Sequence, residues 1–195
     1  MDTIVFSPEE ENKARINAKQ NLLWVSLVSV IMLFAGLTSA YVVRMAEGNW
    51  EHLEMPVMFY ISTAIILLSS ITMNMAMNAA KKNNQAAISN FIWITFALGL
   101  AFIFFQVSAW SDFVSQGIFF AGKDSSASGA YLYVLSGVHL AHVIGGLIVL
   151  IFVGIKSLRG AYDSENRLGL KMAAIYWHFL DILWIYLFLF LLFIR

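Results

Sequence analysis

Five apolar segments, near residues 21–45, 56–80, 86–111, 131–156 and 172–194, constrain this chain more than any other feature. At about 1.5 Å of rise per residue, each is long enough as a helix to cross a hydrocarbon core of about 30 Å. A helix satisfies its own backbone donors and acceptors, which a bilayer requires. The fold expected is therefore all-α, an integral membrane bundle of five transmembrane helices over residues 21–195, preceded by an N-terminal segment, 1–20. Composition agrees: 60% of residues are hydrophobic and 12% are charged, a balance far from that of soluble domains.

Basic and acidic residues number 12 each, so no net field points to nucleic acid, and the placement of the charges carries the information. Lys13, Arg15, Lys19, Lys81, Lys82, Lys156, Arg159, Arg167 and Lys171 fall on one side of the spans, and Arg44, Lys123 and Arg195 on the other. The positive-inside rule then puts the N-terminus in the cytoplasm and the C-terminus outside. Cysteine is absent, which excludes disulfides and thiolate metal sites. The start, MDTIVFSPEEENKAR, is acidic and lacks the basic opening of a signal peptide, so the first span is expected to be retained. Within it, Ser7-Pro8-Glu9-Glu10 has the chemistry of a helix N-terminus and predicts a short surface helix over about 8–20.

Ionisable side chains at membrane depth are costly and demand a reason. In YLYVLSGVHLAHVIGG, Tyr131–Gly146, His139 and His142 lie about 60° apart on one helix face. Gly137, Ala141 and Gly145 repeat at four-residue spacing, a seam along which another helix could approach closely. The fifth span adds His178 and Asp181, three apart on one face. Counting rise from each end puts His142 about 16 Å deep and Asp181 about 14 Å from the opposite surface. A His142–Asp181 contact at mid-membrane is therefore expected, with His139 toward the outer half and His178 toward the inner half. Ser62, Thr63, Ser69, Ser70, Thr72, Asn74 and Asn78 make the second span the most polar, which points to interhelical hydrogen bonding. Met73, Met75 and Met77 fan out on a helix and do not converge as copper ligands. Gly36 and Ala40 form a small-residue pair, Arg44 can snorkel to the outer interface, and Trp110 fits an aromatic belt. His52, among Glu47, Glu51 and Glu54, reads as a solvated loop residue. In the outer connection after the third span, GIFFAG could dip into the interface, and Ser125–Gly129 reads as flexible linker. Trp184, Tyr186, Phe188 and Phe190 form an aromatic face turned to lipid or to another subunit.

GVHLAHVIGG, Gly137–Gly146, resembles the Gly-x-His-x-x-His-Val-Ile-x-Gly pattern of subunit III of the haem–copper oxidases, the cytochrome c and quinol oxidase group. AIYWHFLDILW, Ala174–Trp184, is similar to that family's Tyr-Trp-His-Phe-x-Asp-x-x-Trp pattern, in the same order and at a similar separation. Phe34-Ala35-Gly36, Leu53-Glu54-Met55-Pro56 and Gln106-Val107-Ser108 add weaker matches. The chain resembles the short five-helix bacterial form, which lacks the first helix pair of the seven-helix form. A buried glutamate of the long form falls at Val30 here, so any role tied to that carboxylate is absent.

The resemblance implies an accessory subunit of the bacterial cytoplasmic (inner) membrane that is not itself catalytic. It would hold no cofactor of its own and pack beside the catalytic subunit I, which carries haem and copper, and a copper or quinol-oxidase subunit II. It also implies support of sustained proton-coupled oxygen reduction, and phospholipid held in a cleft. That cleft is expected to need a neighbouring subunit here, because the first helix pair is missing. Two other readings stand beside it: a membrane haem or metal-binding electron carrier using His139, His142 and His178, and a proton-coupled transporter using Asp181 and His142. Bis-histidine haem ligation needs facing histidines at one depth, and His139 and His178 differ in depth by several ångströms on the same count of rise. No repeat symmetry or broken helix favours transport. Four histidines, one of them in a loop, are too few for haem–copper chemistry within the chain.

Overall fold

The computed structural model describes residues 7–51, 53–122 and 125–194. Five helices account for nearly all of them: α1 Pro8–Ala46, α2 Val57–Lys81, α3 Gln85–Ser115, α4 Ala127–Leu158 and α5 Leu168–Phe193. All five are long and apolar enough to cross a membrane.

The start signals in the sequence act as written, with one consequence that the residue pattern hid. Ser7 caps α1 in a full capping box, its side chain accepting from the Glu10 amide while the Glu10 carboxylate accepts from the Ser7 amide. No break follows, so the expected surface helix and the first span form one helix of 39 residues. Residues 8–20 contain no glycine after the cap and no second proline, and nothing there stops a helix once it has begun. The expected linker at Ser125–Gly129 is instead largely the start of α4. The Ser126 side chain accepts from the Gly129 amide at 3.2 Å, and Ser128 and Gly129 are already buried in the first turn. Small residues are needed there because a Cβ on Gly129 would come within 2.8 Å of the Ile118 side chain.

Helices α2, α3, α4 and α5 close a ring in which α2 packs on α3 and α5, and α4 packs on α3 and α5. Helix α1 stands outside that ring and touches only α4 and α5. The ring is filled by large aromatics, Trp177, Trp184, Phe59, Phe102 and Phe113, all essentially inaccessible. Such bulk fits only where the facing helix has no side chain. A Cβ on Gly99 would meet Leu147 Cδ2 at 2.7 Å and Trp177 Cη2 at 2.8 Å, and one on Gly146 would meet Trp177 at 3.1 Å. The expected outward aromatic face of the fifth span is mostly inward: Trp184, Phe188 and Phe190 are buried, and only Tyr186 is exposed.

The alternating helix directions bring the N-terminus of α1, the α2–α3 turn and the α4–α5 loop to one end. There the Asn83 side chain accepts from the Ser164 amide at 2.7 Å, and Gln85 donates to the Tyr162 carbonyl. Nine basic residues collect at this end. At the other end Arg44 is the described cation; it donates to the Gly48 carbonyl at 3.2 Å and sits 3.6 Å from Glu47. His52, Lys123 and Arg195, named in the sequence reading, lie outside the described residues.

Candidate functional site: the polar seam between the helices

Five polar side chains of α2 reach its neighbours, whereas Asn74 and Asn78 are exposed. Ser69 accepts from Trp177 Nε1 at 3.0 Å, and Thr63 accepts from Trp184 Nε1 at 3.0 Å. Ser70 lies 2.7 Å from His178 Nδ1. Toward α3, Gln106 donates to Ser62 at 3.0 Å and Thr72 meets Thr95 at 2.8 Å. Trp177 and Trp184 are two turns apart on one face of α5, and their acceptors on α2 are nearly two turns apart, so antiparallel helices bring each indole to a hydroxyl. Each hydroxyl keeps a second bond to its own helix, from Ser69 to the Ile66 carbonyl and from Thr63 to the Phe59 carbonyl. Trp110 makes the same kind of bond across to α4, donating to Ser136 at 3.0 Å. Interhelical bonding by α2 was legible in the sequence and its indole partners were missed; the similar spacing of Thr63 and Ser69 to that of Trp177 and Trp184 was the signal.

Asp181 is buried on the face of α5 that carries the two indoles, and its Oδ2 is 3.8 Å from His178 Nδ1. Neither carboxylate oxygen has a hydrogen-bond partner, and His178 Nε2 has none either. The expected His142–Asp181 contact does not form. Instead, His142 Nδ1 is 2.7 Å from the Val138 carbonyl of its own helix, and its ring lies 5.9 Å from Phe34 of α1. His142 and Asp181 lie at similar levels along the packed helices, since Gly146 abuts Trp177 and Leu180 and Tyr176 donates to the His142 carbonyl at 3.3 Å. What fails is azimuth: His142 looks toward α1 and Asp181 toward α2.

His139 is fully buried between Trp184, Phe102 and Phe34, with ring centroids 5.1, 5.9 and 6.5 Å away. Neither of its nitrogens has a partner. His139 and His142 share the Phe34 ring while His178 turns to Ser70 and Asp181, and the described residues hold no group of three or more His, Cys, Asp or Glu that could share a metal. Along the small-residue seam, Gly137 faces the Trp110 ring at 3.9 Å and Gly145 the Tyr176 hydroxyl at 3.8 Å, while Ala141 is exposed. The close approaches on α4 are made by Gly146 and by Gly154, whose Cβ would lie 3.2 Å from Trp93. Val30 is partly buried against the core. Gly36 has nothing within 4 Å, and with Ala40 it leaves a shallow strip on the outer side of α1.

The arrangement is that of a scaffold whose buried polar groups join helices. Comparison with known proteins agrees. The family described as cytochrome c oxidase subunit III matches residues 22–194. A probable cytochrome c oxidase subunit 3 of Nocardia farcinica is 32% identical over 189 residues, covering 94% of this chain and 91% of that protein. Cytochrome c oxidase subunit 3 of Alkalihalophilus pseudofirmus is 32% identical over 197 residues, covering 96% and 93%. That of Thermostichus vulcanus is 32% identical over 174 residues, covering 85% and 82%. The chain belongs to the cytochrome c oxidase subunit III family and is a multi-pass membrane protein, an accessory subunit of a haem–copper oxidase.

Proposed function

We propose that this chain serves its oxidase as a scaffold without a redox centre, seated in a bacterial cytoplasmic membrane against the subunit that holds haem and copper and beside subunit II. The observation that carries the reading is the use of the membrane-depth polar groups: hydroxyls, indoles and His178 bond one helix to the next, and His139 and His142 do not converge with His178. The N-terminus lies in the cytoplasm, as the nine basic residues at that end favour. The strip at Gly36 and Ala40 suits a close helix contact from another subunit. Phospholipid belongs to the reading as a bound component.

The test is to strip this chain from the purified oxidase and follow oxygen uptake. The haem spectrum and the initial rate are expected to survive, and the stripped enzyme is expected to lose activity in fewer turnovers than the intact one. Loss of the haem spectrum together with the chain would refute the reading.

A further inference from the structure

Helix α2 turns two amides away from the bundle. Its side-chain hydrogen bonds to other helices belong to Ser62, Thr63, Ser69, Ser70 and Thr72. Asn74 and Asn78 take no part among the described residues, and both are exposed. Four residues apart, they share one helix face, and Leu67 and Ile71 continue it at 44% and 56% exposure. With Ala64 and Lys81, also exposed, these positions repeat at alternating spacings of three and four, the pattern along which a second helix packs. At about 1.5 Å of rise per residue, Asn78 lies about 4.5 Å and Asn74 about 10 Å from Lys81 toward the middle of the membrane. Acyl chains offer nothing to the two N–H donors and the carbonyl of a carboxamide. An apolar side chain at that depth needs no partner, whereas an amide does.

The charges beside the amides are of one sign. Lys81 and Lys82 are exposed, and neither makes a salt bridge among the described residues. A hollow of about 340 Å³ opens there between α2 and α3, with Asn78, Lys82, Asn84 and Phe91 in its walls and no carboxylate. The Asn84 side chain is taken up as the cap of α3, which leaves the Asn78 amide and the Lys82 ammonium to receive a guest. We propose that this outward face of α2 seats a transmembrane helix of another subunit, with a hydrogen-bonding side chain level with Asn74 and a carboxylate reaching Lys82 at the basic end of the bundle. An anionic headgroup would meet the lysines but leave Asn74 without a partner, so a helix is selected. A second copy of this chain is disfavoured, because parallel copies paired along this seam would set Lys81 and Lys82 against their own kind. The inference goes beyond the scaffold role proposed above and its strip on α1, since α2 makes no contact with α1 and lies across the ring from α4.

The test is photo-cross-linking in the native membrane, with Ile71→p-benzoylphenylalanine in the tagged chain and the cross-linked peptide identified by mass spectrometry. The expected adduct is to one transmembrane polypeptide other than this chain, whose helix carries Asp or Glu within a turn of the end that meets Lys82. N74L/N78L in that background is expected to lower the yield of the adduct by about tenfold, as the loss of two amide contacts in a bilayer implies. K82E is expected to lower it severalfold by setting like charges together. All three substituted positions are exposed, so both variants should keep the parent's unfolding midpoint in detergent, which separates a lost contact from a lost fold. An adduct to a second copy of this chain overturns the inference, as does the absence of any polypeptide adduct. An undiminished yield in N74L/N78L overturns the role of the amides, and an undiminished yield in K82E overturns the pairing with a carboxylate.

Discussion

Asp181 shows how far a single residue can be read from a sequence. Its depth, its burial and its need of a partner all followed from a carboxylate in an apolar span. The identity of the partner did not, because rise along a helix fixes depth, whereas azimuth depends on which neighbour each helix packs against. Helix α5 turns Trp177, Asp181 and Trp184 toward α2, where Ser69 and Thr63 receive the indoles. The partner at hand is then His178 on the same helix, 3.8 Å away. A double-mutant cycle separates the two pairings. D181N and H178A should be non-additive in unfolding free energy by about 0.5–3 kcal/mol, as residues in one cluster are, while D181N and H142A should add within about 0.5 kcal/mol. Additivity in the first cycle and coupling in the second would restore the pairing expected from depth alone. Val30 stands where the longer members of the family were read to carry glutamate, and His139 has no partner on either nitrogen.

Elements were legible where a stop or start signal was unambiguous and misread where small residues have two meanings. The five apolar runs coincide with five helices to within a few residues at most ends, because apolar runs of that length allow little else. Serine and glycine before α4 read as linker chemistry, yet Ser126 caps the helix and Gly129 admits Ile118. Glycines inside helices divide in the same way, and substitution tells them apart. G99A would drive a Cβ to 2.7 Å from Leu147 and 2.8 Å from Trp177, and should cost about 1–3 kcal/mol by overpacking. G36A, with nothing within 4 Å, should be neutral or stabilising by up to about 1 kcal/mol through helix propensity. Chemical unfolding in detergent measures both, and equal effects would mean that the α3–α4–α5 contact is not the tight one. The α4–α5 loop carries a pH dependence of definite sign. Asp163 accepts from the amides of Asn166 at 2.6 Å and Glu165 at 2.8 Å, which hold its carboxyl below the ordinary 3.8. A group depressed in the folded state contributes above its ordinary value and loses that contribution as pH falls through the folded one. Protection of the Glu165 and Asn166 amides from hydrogen exchange should therefore persist at neutral pH, fade only below about pH 4, and be absent at every pH in D163A. Protection in D163A equal to the wild type would rule out this role for the carboxylate.

Taken whole, the molecule is a closed ring of four helices with a fifth leaning on two of them. That division was not written in hydropathy, since α1 is as apolar as the others; it follows from which helices carry inward aromatics and hydroxyls to share. The ring holds itself together through α2, and the outer helix keeps Gly36 and Ala40 exposed on its far side. The family was legible because two histidine-bearing motifs in the last two spans are specific in order and spacing. The wiring around them was not, because those motifs say which residues are present and not which neighbour each one faces. In the proposed role this chain brings no redox centre to the oxidase it belongs to. The direct measurement is a reduced-minus-oxidised spectrum of the tagged chain, purified once from its native membrane and once after expression alone. Haem bands and a large catalytic subunit in the native preparation, with a colourless lone chain, are the predicted result. Haem bound to the lone chain would contradict it and make ligands of His139, His142 or His178.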